Sequence, residues 1–290
     1  MNKEEGVACC DGSWLFKEDG PPFIKDVKKS PKNNIYQYVN HNMLLSPLAS
    51  IRRKQDAAST RLEQFFAQTF WQNEDAWVVQ MAMVLLALSG RNVDRAWWTV
   101  GPGGVGQSLN SCLIANLFGR DHHYMDMNLF YEEGEMRKQG DSMAGHRVFT
   151  GQEAITNAKQ TMREDLYKKL LSADPIAVRL PYAIVTKMVE LTGWKRFELN
   201  MLISFGGVTE ANFDSIMRRS CVATLKGKFV SPGKMQEMGG DLVCGAQGIF
   251  TRDPSLKAFL KSPEAADAML RAVHGFAQSH SLAECERIVE

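Results

Sequence analysis

A chain of 290 residues with 44% hydrophobic residues can bury a substantial core, so we expect one large domain with a smaller helical region. The 34 Lys and Arg residues stand against 33 Asp and Glu residues, which leaves a net charge of +1. This balance excludes a broad positive field, so any contact with nucleic acid must come from a local patch.

The six cysteines sit singly except for Cys9 and Cys10, with no CxxC pair and no spacing typical of a zinc site. This pattern predicts reduced thiols inside the cell and no structural metal. The amino terminus lacks the apolar run of a signal peptide, and the longest apolar stretch, residues 81–88, is too short to span a bilayer. We therefore expect a soluble, intracellular protein with no membrane partner, and the sequence leaves cytoplasm and nucleus open.

The first part of the chain, residues 1–60, is polar and is predicted to be an irregular lead-in. Apolar residues then recur at helical spacing over residues 62–88. The pattern is interrupted near Asn73 and stops at Gly90, which predicts two helices. They form a helical segment at 61–92.

Beyond this segment we expect a core over residues 93–230 and a helical C-terminal segment over residues 231–290. Ser262 followed by Pro263 has the residue types that favour the start of a helix, and an apolar helical face follows.

The core opens with a pattern typical of a strand, a glycine loop and a helix. The aromatic and β-branched run at residues 96–100 reads as a strand, and glycines dominate residues 101–106. Leucines then repeat every four positions, at Leu109, Leu113 and Leu117.

Further short strands are predicted at residues 124–130, 146–150 and 199–205, with helical spacing over residues 153–171. The alternation of strands and helices predicts an α/β fold, with a parallel sheet flanked by helices.

The glycine loop matches the phosphate-binding pattern G-x-x-x-x-G-K-[ST] at every fixed position except one, because Gln107 stands where lysine belongs. In such a loop the backbone N–H groups surround the phosphates, Ser108 would hold Mg²⁺ and the lysine neutralises phosphate charge. Losing one such contact costs roughly 3–4 kcal/mol by analogy with an oxyanion donor. The pattern thus predicts ATP and Mg²⁺ binding with weakened hydrolysis. The predicted nucleotide-binding residues are Gly101, Pro102, Gly103, Gly104, Val105, Gly106, Gln107 and Ser108.

A simpler alternative is a glycine turn that only joins a strand to a helix. A second acidic motif is expected at the end of a later strand, and residues 148–153 fit by position. Only Glu153 in that stretch is acidic, so it is the candidate that activates water. Alternatively, Glu153 simply begins a helix, where a carboxylate is favoured by the dipole.

Residues 187–198 have two strand-like arms around Thr192 and Gly193, a turn-forming pair. This pattern predicts an exposed hairpin that presents Lys195 and Arg196 near its tip.

Three segments give the chain a resemblance to a known family: residues 168–179, residues 192–196 and residues 215–219. In order and spacing they resemble the later motifs of the superfamily 3 helicases, as found in primase-helicases of large DNA viruses and of plasmid type. The resemblance runs from about residue 65 to residue 229. It implies an AAA+-like P-loop NTPase core that assembles as a hexameric ring, threads single-stranded DNA and couples ATP hydrolysis to translocation.

The resemblance also implies roles for individual residues. Lys169, Asp174 and Arg179 match the conserved motif ahead of the hairpin, and Lys195 with Arg196 matches the pore hairpin that grips phosphates. The lysine could equally belong to a solvated helix face, and the Lys195–Arg196 pair to a polar turn.

Arg218 or Arg219 matches the arginine that reaches the γ-phosphate in a neighbouring subunit. An ordinary surface pair is the simpler alternative. The family's sensor asparagine falls on Phe205, which cannot orient a water molecule.

Two functions stay open from the sequence. One is a DNA helicase domain with degenerate Walker motifs, and the other is a non-catalytic module that keeps the fold and binds nucleotide or nucleic acid. A further possibility is that another lysine, Lys169 or Lys226, reaches the phosphates in place of the residue missing at position 107.

Overall fold

In this computed structural model the described residues are 56–152, 161–178 and 186–290, together with the backbone of three N-terminal strands. These are β1 (Gly6–Cys9), β2 (Gly12–Lys17) and β3 (Gly20–Lys25), which form an antiparallel sheet in that order. The prediction of an irregular lead-in is therefore wrong for these strands.

Two helices precede the core, α1 (Ala57–Thr69) and α2 (Glu74–Ser89), as predicted. Asn73 caps the second helix by accepting a hydrogen bond from the Ala76 N–H at 3.4 Å. Gly90 ends the helix in the left-handed conformation, with φ at 85°, which glycine adopts without a steric penalty. The second helix is buried over most of its surface, which its apolar sequence on all sides requires.

The core is a five-stranded sheet in which all neighbours are parallel. Its strands are β4 (Ala96–Val100), β5 (His122–Met125), β6 (Val148–Gln152), β10 (Trp194–Leu199) and β12 (Ser220–Thr224). Their order across the sheet is β12-β4-β10-β6-β5. The predicted α/β fold, a parallel sheet flanked by helices as in P-loop NTPases, is confirmed.

The remaining elements connect and cover this sheet. The helices are α3 (Gln107–Phe118), α4 (Glu133–Met143), α5 (Glu164–Leu171), α6 (Glu210–Met217), α7 (Pro232–Glu237), α8 (Asp241–Gly245), α9 (Leu256–Leu260), α10 (Pro263–Ala277) and α11 (Leu282–Val289). The short strands are β7 (Met162–Arg163), β8 (Ile176–Val178), β9 (Lys187–Val189), β11 (Phe205–Gly206), β13 (Lys228–Val230) and β14 (Ile249–Thr251).

Several predicted boundaries shift. The strand predicted at residues 199–205 is wrong, since the sheet contains the run just before it, Trp194–Leu199. The helix predicted from residue 153 begins at Glu164, and residues 153–160 lie outside the described ranges. The predicted start of a C-terminal helix is confirmed, because Ser262 caps α10 and Pro263 is its first residue.

The adjacent residues Trp97 and Trp98 are buried on opposite faces of β4, because side chains alternate between the two faces along a strand. Trp97 packs into the cluster that includes α2, α3 and α10, whereas Trp98 packs into the cluster with α4 and α5. The Trp98 indole stacks on Phe197 with ring centroids 4.3 Å apart and donates a hydrogen bond to the Tyr167 hydroxyl at 3.0 Å. The sheet is thus covered on both sides.

Within the described ranges no helix combines the length and apolar character needed to cross a membrane.

Candidate nucleotide-binding site

The predicted strand, glycine loop and helix lie at the carboxyl end of the central sheet. The chain leaves β4 at Val100, turns through the glycine segment and enters α3 at Gln107. Gly104 and Gly106 have φ values of 89° and 90°, in the left-handed region that favours glycine. Because Gly106 has no side chain to cap the helix, the N–H groups of the first turn are open to an anion.

Backbone hydrogen bonds fix the loop on two sides. The Gly101 N–H donates to the Leu199 carbonyl at 3.2 Å, and the Gly104 carbonyl accepts from the Phe229 N–H at 2.8 Å. The loop is therefore held between the end of β10 and strand β13.

A cavity of about 520 Å³ opens over this loop. Residues 103–108 of the predicted nucleotide-binding set line it, whereas Gly101 and Pro102 do not. The other wall comes from Asn200 and from the chain around Arg252 and Lys257. This volume lies within the range typical of small-molecule sites.

Gln107 does not point a free amide at the cavity. Its Nε2 donates to the backbone carbonyls of Thr99 and Leu199, each at 2.9 Å. The side chain thus bridges the carboxyl ends of β4 and β10. Both amide protons are used, and the residue brings no positive charge to a bound phosphate.

The end of β6 carries a neutral residue beside a buried carboxylate on the next strand. Gln152 lies opposite Glu198 in the sheet, and its Nε2 donates to the Glu198 carboxylate at 2.9 Å. Ser111 of α3 donates to the other carboxylate oxygen, and Arg196 Nη2 lies 3.3 Å from that same oxygen. Burial raises the pKa of Glu198, while Arg196 acts to lower it. This polar cluster was missed in the sequence, where Glu198 is one acid among many.

Ser108 is the residue that the sequence predicts to hold a metal ion. The Ser108 side chain lies in the first turn of α3 at the cavity, where a hydroxyl could reach Mg²⁺. In the described ranges no group of three or more His, Cys, Asp or Glu side chains is placed to hold a metal. Glu153, the predicted water-activating residue, lies outside the described residues.

The predicted exposed hairpin around Thr192 is wrong. Lys195 and Arg196 lie in β10, the middle strand of the sheet, and both side chains are 0% exposed. Lys195 Nζ is 3.1 Å from Asn92 Oδ1, and Arg196 pairs with Glu198. Neither side chain can contact a DNA phosphate from this position.

Gly193 explains why the local pattern wrongly predicted a hairpin. Its φ is 116°, and a Cβ there would lie 2.5 Å from the Arg147 carbonyl oxygen. A glycine is needed here because the backbone passes close to that of Arg147 where β10 begins, and not because the chain forms a hairpin turn.

Of the residues that match the family motif, the two described ones, Lys169 and Asp174, do not line the loop cavity. Lys169 is half-buried in the last turn of α5, and Asp174 follows that helix, where it accepts a hydrogen bond from the Ser172 hydroxyl at 2.6 Å. Arg179 lies outside the described residues. Neither Lys169 nor Lys226 lines the cavity.

Arg218 and Arg219 stand just before β12, at the end of the sheet opposite the loop. Five residues of strand separate the two ends, roughly 17 Å. Arg219 is tied to its own helix by hydrogen bonds to the Ser215 carbonyl and hydroxyl at 3.1 and 3.3 Å, whereas Arg218 is exposed. Neither arginine lines the cavity of its own chain.

Asn200, and not Phe205, stands at the end of the strand beside the loop. It directly follows β10 and lines the loop cavity. Phe205 lies in β11, with its ring 6.4 Å from that of Trp98. The mistake follows from the wrong strand boundary, because the residue after the true strand is already an asparagine.

No protein-family model matches the chain, and no curated protein matches it in sequence. Among solved structures it is similar to the A form apo structure of the NrS-1 C-terminal region, with 11% identity and a TM-score of 0.50 over 99% of this chain and 68% of that one. The apo structure of NrS-1 C-terminal region 305–718 gives the same identity and TM-score, over 99% of this chain and 71% of that one. At this identity the likeness concerns the fold alone, and it extends along the whole chain.

Proposed function

We propose that this chain is the nucleotide-binding module of a superfamily 3 type helicase, which binds ATP at the Gly101–Ser108 loop and hydrolyses it weakly or not at all. The single observation that carries the proposal is the loop itself. Two left-handed glycines and an uncapped α3 N-terminus face a cavity of about 520 Å³. A plain glycine turn between strand and helix would not require this cavity.

Weak hydrolysis follows from two neutral residues at positions where charge is needed. Gln107 uses its amide protons on the Thr99 and Leu199 carbonyls. Gln152 ends β6 as an amide, and the carboxylate that it contacts, Glu198, is held by Ser111 and Arg196. The charge that develops in the transition state would therefore be stabilised by fewer charged protein groups than in an active ATPase.

The proposal includes a ring of subunits and a single strand of DNA. Arg218 is exposed and lies far from its own cavity, as an arginine acting on a neighbouring subunit must. For the DNA strand, the antiparallel β8–β9 pair replaces the buried Lys195 and Arg196 as the candidate surface. Its Lys187 side chain is 64% exposed, with its ammonium 3.2 Å from Asp141.

A specific observation also favours the second candidate, a non-catalytic binding module. The Gln107 amide fits its two carbonyl acceptors so well that the loop is stabilised without any ligand. The module would then keep the fold and use nucleotide only as a structural ligand.

The test is equilibrium binding of a fluorescent ATP analogue with Mg²⁺, together with phosphate release with and without single-stranded DNA. The unaltered protein is compared with Gln107→Lys and with Gly106→Ala, which strains the left-handed backbone of the loop. Binding with slow release that DNA stimulates supports the helicase module, and binding without release supports the non-catalytic one. Absence of binding by both the unaltered protein and Gln107→Lys overturns the nucleotide site.

DNA binding is tested separately. Lys187→Ala should weaken binding of a single-stranded oligonucleotide, whereas the exposed Lys226→Ala serves as a matched loss of charge elsewhere. Equal affinity of all three proteins for the oligonucleotide would remove the β8–β9 pair from the proposal.

A further inference from the structure

The loop cavity has a second wall that carries two cations, Arg252 and Lys257. Backbone pairing brings the first of them to the loop. The Phe229 N–H donates to the Gly104 carbonyl at 2.8 Å, and the next residue, Val230, pairs with Thr251 in the parallel β13–β14 ladder. The Arg252 N–H then donates to the Val230 carbonyl at 2.7 Å. A continuous set of main-chain hydrogen bonds thus fixes Arg252 beside the glycine loop.

Lys257 reaches the same cavity from the first turn of α9. Both cations are exposed, and neither forms an ion pair with another residue of the described ranges. Long cationic side chains in this state are free to turn toward an anion that enters the cavity.

The acidic residue on this wall is already neutralised. Asp253 forms an ion pair with Arg61 and accepts hydrogen bonds from the Ser255 N–H and hydroxyl at 2.8 and 2.7 Å. These Ser255 hydrogen bonds, with help from Arg61, hold the pKa of Asp253 below its usual value. The carboxylate therefore does not cancel Arg252 and Lys257, and the wall presents net positive charge to the loop.

We propose that Arg252 and Lys257 supply the positive charge to the nucleotide's phosphate oxygens that a lysine at position 107 would otherwise supply. The inference rests on the proposed nucleotide-binding function. The ligand chemistry is a di- or triphosphate, since a guanidinium can donate two parallel hydrogen bonds to it and an ammonium acts as a point charge. The positive charge is thus carried by the wall that faces the loop, and not by the loop.

The experiment measures the affinity of the full chain for ATP and for inorganic tripolyphosphate. Arg252→Ala, Lys257→Ala and the double variant remove the charge, and Arg252→Lys with Lys257→Arg keeps it. Lys261→Ala is the matched control, because this exposed lysine follows α9 directly but lies outside the cavity lining. Thermal unfolding of each variant verifies that the fold is retained.

Each alanine variant should weaken binding of both ligands by about tenfold, as expected for a hydrogen bond to a charged group. The charge-keeping variants should lose less affinity than the alanine variants, because they keep the charge and change only the hydrogen-bond geometry. Lys261→Ala should bind within about twofold of the unaltered protein, as surface changes away from a site do. If the double variant binds both ligands at unaltered affinity while Gly106→Ala does not bind, the nucleotide site stands and the assignment of Arg252 and Lys257 is wrong. If the unaltered protein binds neither ligand, the proposed function and this inference both fall.

Discussion

The Gln107 side chain donates a hydrogen bond of 2.9 Å to the backbone carbonyl of Leu199, and so joins α3 to the end of the neighbouring strand β10. A second bond of the same length reaches Thr99. At the position where a P-loop carries its cation, this chain carries a structural amide.

Replacing Gln107 should separate the structural role from a binding role. Gln107→Leu keeps the volume but removes both hydrogen bonds, so we expect a loss of about 1–3 kcal/mol in the free energy of unfolding, measured with urea. ATP affinity should change little, since both amide protons are held by backbone carbonyls. Gln107→Lys should instead tighten ATP binding, because it adds a charge next to the phosphates. A large loss of ATP affinity in Gln107→Leu would contradict this view.

Gly106 should be intolerant of a side chain. Its φ is 90°, and an added Cβ would lie 3.0 Å from Thr69 Oγ1 and 3.1 Å from the Phe229 ring. Gly106→Ala should cost about 1–2 kcal/mol for the left-handed backbone alone, plus the cost of the contacts. Gly103→Ala is the matched control, because a Cβ there meets nothing within 4 Å. Equal melting temperatures of the two variants would show that the loop conformation is not constrained as described.

The free energy of unfolding should depend on the presence of both partners in the buried Arg196–Glu198 pair. The two side chains are 0% and 4% exposed, so removing one charge leaves the other without compensation. Glu198→Leu and Arg196→Met should each reduce the free energy of unfolding by about 3–5 kcal/mol, whereas the two changes combined should cost much less. The measurement is a double-mutant cycle by urea unfolding. Additive effects of the two single changes would mean that the charges do not interact.

Lys195 should make stability depend on pH. Burial lowers the pKa of its ammonium from 10.5 to about 7. Between about pH 7 and pH 10.5 the unfolded chain therefore binds more protons at this residue than the folded chain, so its contribution to stability rises with pH in that window. Below about pH 7 both states are charged and the burial cost is present in full.

Lys195→Met removes this titration and should stabilise the fold most at low pH. The difference in free energy of unfolding between the variant and the unaltered protein should decrease as the pH rises from 6 to 10. It should level off near the pKa of the lysine in the unfolded chain. Urea unfolding at several pH values measures it. A difference that is constant with pH would mean that the ammonium is not desolvated. Asn92 keeps a partner in the variant, because it also accepts from the Gly193 N–H at 3.2 Å.

Local patterns in the sequence were enough to predict the elements that hold the site. The break between helices near Asn73, the helix start at Ser262, and the strand, glycine loop and helix around Gly101 depend on neighbouring residues and on periodicity. The alternation of strands and helices likewise predicted the α/β sheet. The substitution at Gln107 was visible in the sequence, and so was its consequence that the loop lacks a cation.

Only the tertiary structure decided where β10 lies and what surrounds the loop. Residues 192–196 look like a turn because Gly193 and two cations are typical of turns, but the glycine serves close packing against Arg147 and the cations are buried in the sheet. Arg252 is brought to Gly104 by strand pairing between segments far apart in the chain. Such pairing depends on the burial and the main-chain hydrogen bonding of the whole domain. A local pattern in the sequence does not specify it.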